Sequence, residues 1–302
     1  VPFFCLRLPD ARRGNPGMAQ VLENLLRDDE GRCVVDTLVD VHGMSMTAGV
    51  PANADAYPNL GVSVLHALTS YAPRAAWQAT AQGMGSMDVA TQAAQPEFDG
   101  ALITKLLATR EADEVDDLTG AVVPRMVPVP GRAQAMAELA LSWARLARTP
   151  ADQRKVAIVF HHHPPRNDRI GCASGLDTFE SVRQLLIRMA DEGYDVPEQF
   201  ETGDDIAQVL LSCLTCDQRW LTPEQMHERA EAHADLEISR PWYRGLPDSV
   251  RECMDRNWGP HPGTLFVHDD EFSFAGHLDG NVLLTIQPPR GTFEAVTDSA
   301  IH

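Results

Sequence analysis

The stretch KVAIVFHHHPPRNDRIGCASGLDTFESVRQLLIRMADEGYD, residues 155–195, decides the fold class of this chain. Its apolar run from Val156 to Phe160 has the length and β-branched character of a strand that is covered on both faces. A polar loop follows, and apolar residues then recur at three- and four-residue spacing, which predicts a helix that ends at Gly193. Ligands of open parallel sheets lie beyond the carboxyl ends of the strands. The loop is therefore the first place to expect a functional site.

The rest of the chain alternates segments with strand and helix patterns in the same way. We predict an α/β fold made of two Rossmann-like or flavodoxin-like lobes with additional helices. A boundary is expected near Thr149 to Ala151, which gives lobes of residues 1–150 and 151–302. The sequence begins at Val1 without a methionine and ends at His302 without a terminal helix. We therefore expect the first lobe to be incomplete at its N-terminus and the second to be truncated at its C-terminus.

Composition excludes several classes of partner. A chain of 302 residues with a net charge of −18 does not provide the basic surface that nucleic acid or an anionic membrane requires. No apolar run approaches the length of about 20 residues that spans a bilayer, and no signal segment opens the chain. The six cysteines are scattered, which suits a reducing compartment. We predict a cytoplasmic protein.

Nucleotide chemistry is not expected of this chain. Its two lysines, Lys105 and Lys155, lie outside any Gly-x-x-x-x-Gly-Lys-Ser/Thr context that would hold nucleotide phosphates. If ATP is used, another subunit is expected to hydrolyse it.

Three consecutive histidines are the first candidate ligands. In an extended segment, alternate side chains of His161, His162 and His163 point to opposite faces, so at most two of them share a side. A metal site would need further ligands from elsewhere, such as Glu97 or His42. The alternative is a polar loop with hydrogen-bonded imidazoles.

A second candidate is the segment from Pro96 to Gly100, in which Glu97 and Asp99 flank an aromatic residue between a helix and a strand. A carboxylate that points into a cavity can accept protons from a pyrrole nitrogen or hold a divalent cation. The alternative is an ordinary turn in which Asp99 caps backbone amides.

Two strand-end loops carry candidate anion-binding side chains. Arg166 and Arg290 can each bind a carboxylate of an anionic ligand through two hydrogen bonds, and the alternative for each is a loop salt bridge. The candidate substrate-binding residues in these loops are Arg166, Asn167, Asp168, Gln287 and Arg290. The isolated Cys213-x-x-Cys216 pattern is weak as a zinc or redox motif, and buried structural thiols are the preferred interpretation.

Residues 156–182, VAIVFHHHPPRNDRIGCASGLDTFESV, resemble a motif of the cobaltochelatase large subunit (CobN type) and of the H subunit of magnesium chelatase. Four further parts of the chain resemble the same family in the same order: the Pro96–Gly100 turn, residues 217–226, the stretch Trp258–Gly263 and the strand end at residues 280–291. Relatives of the cobalt type usually carry a single histidine or none where this chain has three, so the histidine run is not implied by the resemblance. Relatives have Gly and Asn at the Cys-x-x-Cys positions.

The resemblance implies an internal fragment of a large subunit that binds a tetrapyrrole and a metal ion, while separate AAA+ subunits hydrolyse ATP. It implies insertion of cobalt into a corrin precursor, or of magnesium into a porphyrin, with the divalent ion as a substrate and Glu97, with Asp99, as the catalytic or metal-handling carboxylates. The fragment alone is expected to be inactive. Two alternatives are a non-catalytic tetrapyrrole-binding or metal-carrier module, and an α/β scaffold whose site lies elsewhere.

Overall fold

A computed structural model describes residues 5, 16–45, 55–217 and 221–289, without the side chain of Asp113. The chain divides into two compact units, Val1–Thr149 and Pro150–His302. Two predicted features, the opening strand around Phe3 and the side chain of Arg290, lie outside the described residues.

The first unit is built on a four-stranded sheet in the order β1-β2-β3-β4. Strands β1 to β3 are parallel, and β4 returns antiparallel to β3 as a hairpin. Leu65 and Ala67 of β2 are fully buried, and Met136 of α5 packs against them in one apolar cluster. The elements are α1 (Met18–Leu26), β1 (Thr37–Asp40), β2 (Ser63–Ser70), α2 (Arg74–Ala79), α3 (Ser86–Val89), a π-helical turn (Ala90–Ala94), α4 (Gln95–Phe98), β3 (Leu102–Val115), β4 (Val122–Pro128) and α5 (Arg132–Arg148).

The second unit contains two three-stranded sheets. In the order β5-β10-β9, β5 and β10 are parallel and β9 is antiparallel, whereas β6-β8-β7 is entirely antiparallel. The elements are β5 (Val156–Phe160), α6 (Thr178–Asp191), α7 (Gly203–Ser212), α8 (Pro223–Arg229), β6 (Ala232–Asp235), α9 (Ser239–Arg244), α10 (Asp248–Trp258), β7 (Val267–His268), β8 (Glu271–Phe274), β9 (Gly276–Asp279) and β10 (Val282–Ile286).

The strand, loop and helix that open the second unit form as predicted, with one correction. Strand β5 is not covered on both faces: its burial alternates, and Val159 is 59% exposed while Phe160 is buried. Alternate residues of β5 and of its neighbour β10 are the more buried ones, so one face of this sheet packs on the core more closely than the other. Helix α6 is N-capped by the carboxylate of Asp177, which accepts a hydrogen bond from the amide of Glu180.

Thr222, Pro223 and Gln225 predict the start of a helix over residues 223–238, and in the structure α8 begins at Pro223 but ends at Arg229. Thr222 and Gln225 form a capping box around Pro223. The helical pattern continues to Ile238, but Ala232–Asp235 pair with β8 as a strand, and a 3-10 turn follows at Leu236–Ile238. Strand pairing with a distant segment outweighs the local helix preference here.

A mixed α/β fold is therefore confirmed, while the Rossmann-like or flavodoxin-like character of either lobe stays a prediction. Among the described helices, none is both long and apolar enough to cross a bilayer.

Candidate functional site

A buried carboxylate lies at the carboxyl end of β1 and collects three side-chain donors. Asp40 accepts hydrogen bonds from Nδ1 of His42 at 2.8 Å, from the hydroxyl of Tyr57 at 2.8 Å and from Nδ1 of His66 at 2.9 Å. Asp40 and His66 are register partners on β1 and β2, which is why their side chains meet. We call Asp40, His42, Tyr57 and His66 the Asp40 cluster.

The charge on Asp40 is fixed by these donors. Burial alone would raise its pKa, but the hydrogen bonds from the two imidazoles and the phenol outweigh burial and hold the pKa well below its usual range. In return, the hydrogen bond to Asp40 raises the pKa of His42. Burial, together with the charges of Asp40 and Asp99, raises the pKa of Tyr57 far above its usual value. The cluster therefore contains an ionised carboxylate and a protonated phenol at neutral pH.

His66 is the member of the Asp40 cluster that has a buried ring nitrogen without a described partner. Its side chain is fully buried, and its Nε2 has no hydrogen-bond partner in the described part of the chain. The carboxylate of Asp40 orients the ring through Nδ1, and Nε2 is a buried polar atom on the opposite side of the ring.

The two predicted carboxylates of the Pro96–Gly100 turn, Glu97 and Asp99, differ in burial. Glu97 is exposed at the end of α4, and the neighbouring Phe98 is 90% exposed. Asp99 is 4% exposed, and its Oδ2 accepts a hydrogen bond of 2.7 Å from the hydroxyl of Ser45. Asp99 is thus anchored in the interior, whereas Glu97 faces outward and is able to meet a ligand.

In the second unit, the structure brings the loop residues predicted for substrate together with His162. The side chain of Gln287 accepts a hydrogen bond of 3.4 Å from the backbone amide of His162, and Asn167 Oδ1 accepts one of 2.8 Å from Thr215. Arg166 is paired with Asp168 through two contacts, Nε to Oδ1 at 2.9 Å and an Nη to Oδ2 at 2.8 Å. Arg166 therefore forms a loop salt bridge, which was the alternative to a role in binding an anionic ligand.

The three histidines alternate in burial. His162 is 1% exposed, while His161 is exposed and His163 is half-buried. The ring nitrogen Nε2 of His162 lies 2.8 Å from the carbonyl oxygen of Arg166, and Nδ1 is buried without a described partner. Burial lowers the pKa of His162, which favours the neutral ring, and the Nε2–H group of that ring donates to the carbonyl of Arg166.

An open cleft lies beside this loop, beyond the end of β5. It has a volume of about 540 Å³ and is lined by residues 168–179 almost throughout, with Gly171 and Cys172 in the wall and Phe179 of α6 at one side. The position agrees with the rule that sites form at the carboxyl ends of strands. Of the residues predicted from sequence, Asp168 lines the cleft.

Two groups of metal-capable side chains lie elsewhere in the second unit. They are Cys213 with Glu231 and His277, and His227 with His233 and Glu271. Within the described ranges, none of His161, His162 and His163 belongs to such a group. Their role as metal ligands stays a prediction.

Sequence reasoning missed most of the Asp40 cluster. His42 was considered as a ligand, but Asp40, Tyr57 and His66 were not. A signal was available, because Asp40 and His42 lie at the end of a strand-like run from Val34 to Val41, where polar residues commonly form sites. His66 lies in the middle of an apolar strand, and it meets Asp40 only because the register of β1 and β2 places the two residues side by side.

Comparison with known proteins identifies relatives over the full length of the chain. The family described as CobN/Magnesium Chelatase matches residues 1–302. An uncharacterised protein of Methanocaldococcus jannaschii is 31% identical over 96% of this chain and 24% of its own length. The aerobic cobaltochelatase subunit CobN of a Sinorhizobium species is 28% identical over 85% of this chain and 20% of its own length.

A solved structure shows the same fold. The catalytic subunit of cobaltochelatase from Mycobacterium tuberculosis superimposes with a TM-score of 0.66 and 29% identity, covering 92% of this chain and 25% of that chain. This chain thus spans about a quarter of the length of the proteins that it matches. A family match over every residue shows that the chain belongs to the CobN/Magnesium Chelatase family.

Proposed function

We propose that this chain is part of the tetrapyrrole-binding large subunit of an ATP-dependent metal chelatase. The observation that carries the proposal is the family match over residues 1–302, together with the similarity to a cobaltochelatase catalytic subunit. Cobalt is the proposed metal substrate, since that subunit and the Sinorhizobium relative are both named for cobalt. Magnesium is the alternative within the family. We further propose that AAA+ partner subunits hydrolyse ATP and that the reaction takes place in the cytoplasm.

The proposed chemistry places Glu97 at the reacting centre. Metal insertion requires removal of pyrrole protons, and an exposed carboxylate is a suitable acceptor. Asp99, buried and bonded to Ser45, would fix the turn that presents Glu97. The exposed ring of Phe98, next to Glu97, offers an apolar face for a flat macrocycle.

Binding of the macrocycle would use the loops of the second unit. Arg166, Asn167, Asp168, Gln287 and Arg290 are proposed to contact its carboxylates and edges, and the histidines at 161 to 163 to offer transient metal ligands. Because Arg166 is already paired with Asp168, a substrate carboxylate would have to replace that carboxylate. Both side chains are more than half exposed, so the existing pair contributes little stability, typically less than about 1 kcal/mol. Replacing Asp168 by a substrate carboxylate therefore costs little free energy.

The test is metal insertion by the full-length subunit together with its ATPase partners, followed by the visible absorption of the metallated macrocycle. Glu97→Gln is expected to lower turnover at least about 100-fold, the usual effect of losing a general base. Glu23→Gln, which changes another exposed carboxylate on α1, serves as the matched control. Normal turnover by Glu97→Gln would rule out this mechanism.

A metal-carrier module is the second candidate, and the donor group around Cys213 favours it. Macrocycle titration separates the candidates. A chelatase subunit is expected to bind the tetrapyrrole and, with its partners, to insert the ion, whereas a carrier binds the metal without turnover.

A further inference from the structure

Four side chains from separate segments of the second unit converge on one point. Cys213 follows the last residue of α7, Glu231 precedes β6, and His277 lies on β9. Glu198 reaches the same place from the segment between α6 and α7. None of these four residues takes part in the proposed insertion chemistry.

Their ligand atoms lie close together. Cys213 Sγ is 3.0 Å from Glu231 Oε1 and 4.0 Å from His277 Nδ1, and Nδ1 is 2.9 Å from Glu231 Oε2. A tetrahedral zinc or cobalt ion with bonds of about 2.0–2.3 Å separates its ligand atoms by about 3.3–3.6 Å. One ligand atom from each of Cys213, Glu231 and His277 lies within 4.8 Å of the others, so small side-chain shifts would bring the three atoms to those separations.

The opposite nitrogen of His277 has the surroundings of a ligating histidine. Nε2 lies 3.1 Å from Glu198 Oε1, although the pair is not aligned as a hydrogen bond and Nε2 is otherwise buried without a described partner. A metal-bound imidazole commonly turns its second N–H to a carboxylate, which orients the ring and strengthens the ligand. A small rotation of either side chain would complete that contact.

The electrostatics of the cluster favour a cation. Burial, followed by the neighbouring carboxylate of Glu231, raises the pKa of Cys213 to about 12. Burial also acts on Glu231, but hydrogen bonds from Cys213 and from the amide of Leu278 outweigh it and lower the pKa of this carboxyl. The ionised carboxylate opposes a second negative charge on the thiol, and a divalent ion bound between them would remove that opposition.

The geometry points to a site for a borderline-soft divalent transition-metal ion, of the zinc or cobalt class, held by Cys213 Sγ, Glu231 Oε and His277 Nδ1. Binding replaces the thiol proton with a metal–sulfur bond and releases that proton to solvent. Thiolate and imidazole select such ions over magnesium, which prefers oxygen ligands. Three protein ligands leave a fourth position open, and the exposed side of Glu231 gives the ion a path, so the ion can exchange.

The site does not depend on the proposed chelatase function, and the metal alone tests it. The full chain, stripped with a chelator and kept reduced, is titrated with Co²⁺. One equivalent is expected to produce a thiolate-to-cobalt charge-transfer band and intense ligand-field bands of low coordination number. Zn²⁺ is expected to abolish both, and excess Mg²⁺ to leave them unchanged. A titration without a thiolate band would overturn the assignment.

Variants locate the site. Cys213→Ser is expected to remove the charge-transfer band, whereas the matched control Cys216→Ser retains it, because the equally buried Cys216 donates to the carbonyl of Gln287 outside the cluster. A band that survives Cys213→Ser, or disappears equally in Cys216→Ser, contradicts the assignment. If Cys213→Ser does not fold, Glu198→Gln is used, and about 10-fold weaker Co²⁺ binding with the band intact supports the site. Unchanged affinity in Glu198→Gln counts against it.

Discussion

Nδ1 of His66 lies 2.9 Å from Oδ2 of Asp40, across two parallel strands on which the residues are register partners. The contact orients a fully buried imidazole, whose other nitrogen has no hydrogen-bond partner among the residues that the structure describes. A carboxylate that receives three side-chain donors in the interior is expected to contribute both to stability and to the orientation of the surrounding rings.

Replacing this carboxylate is expected to destabilise the protein. Asp40→Asn keeps the shape but removes the charge that three donors share, and breaking such a buried arrangement costs about 3 kcal/mol. Urea unfolding followed by circular dichroism measures the change. Asp36→Asn is the control, since Asp36 pairs with the exposed side chain of Arg148 at the surface. If Asp40→Asn lost less stability than Asp36→Asn, the side chains of His42, Tyr57 and His66 would have found other hydrogen-bond partners.

The contact between Asp40 and His42 predicts a pH dependence of stability. The pKa of His42 is raised in the folded state, because its ring donates to the ionised Asp40. The folded state therefore binds the proton more tightly than the unfolded state, and the stabilisation is complete below about pH 6.5, the unfolded value. It is lost as the pH rises through the higher folded value. Wild type and His42→Gln are expected to converge in stability at alkaline pH and to diverge at neutral and acidic pH.

Glu97 and Asp99 are expected to differ in their effect on stability. Glu97→Gln changes an exposed side chain and should shift the free energy of unfolding by no more than about 0.5 kcal/mol. Asp99→Asn alters a buried acceptor bonded to Ser45 and should cost about 1–3 kcal/mol. Chemical unfolding of both variants gives the comparison. Equal losses would contradict the assignment of Asp99 as the anchor and Glu97 as the outward-facing group.

Phe98 is expected to affect macrocycle affinity without affecting folding. Its ring is 90% exposed, so Phe98→Ala removes little packing. A stacked contact is worth about 1 kcal/mol, which corresponds to roughly fivefold weaker binding. Titration of the full-length subunit with a porphyrin, followed by absorbance, measures this effect. Leu118→Ala, which removes a side chain that is 95% exposed in the β3–β4 turn, is the control.

Close packing of α6 against α7 depends on a glycine. A Cβ at Gly203 would lie 2.6 Å from the backbone nitrogen of Glu180, which neither helix can avoid without moving. Gly203→Ala is expected to cost about 2 kcal/mol or more. At Gly245 the same change meets backbone oxygens only at 3.4 Å, so Gly245→Ala should be neutral or slightly stabilising. Thermal unfolding of the two variants separates steric conflict from the general effect of losing a glycine.

Local signals predicted much of the fold because they act over a few residues. The apolar run of β5, the helix α6 and the capping box at Thr222 each form where the sequence indicated. The end of α8 could not be predicted in the same way. It depends on a strand pairing between Ala232 and Phe274, which lie far apart in sequence.

The sequence by itself determined the family, the α/β class and the position of the strand-end loop, since these follow from residue patterns along one segment at a time. Only the tertiary structure decided which polar groups meet. It buried Asp99 and left Glu97 exposed, paired Arg166 with Asp168, joined Asp40 to His66 through strand register, and gathered Cys213, Glu231 and His277 from three separate segments. Such contacts depend on register and packing between distant residues, and no periodicity in the chain encodes them.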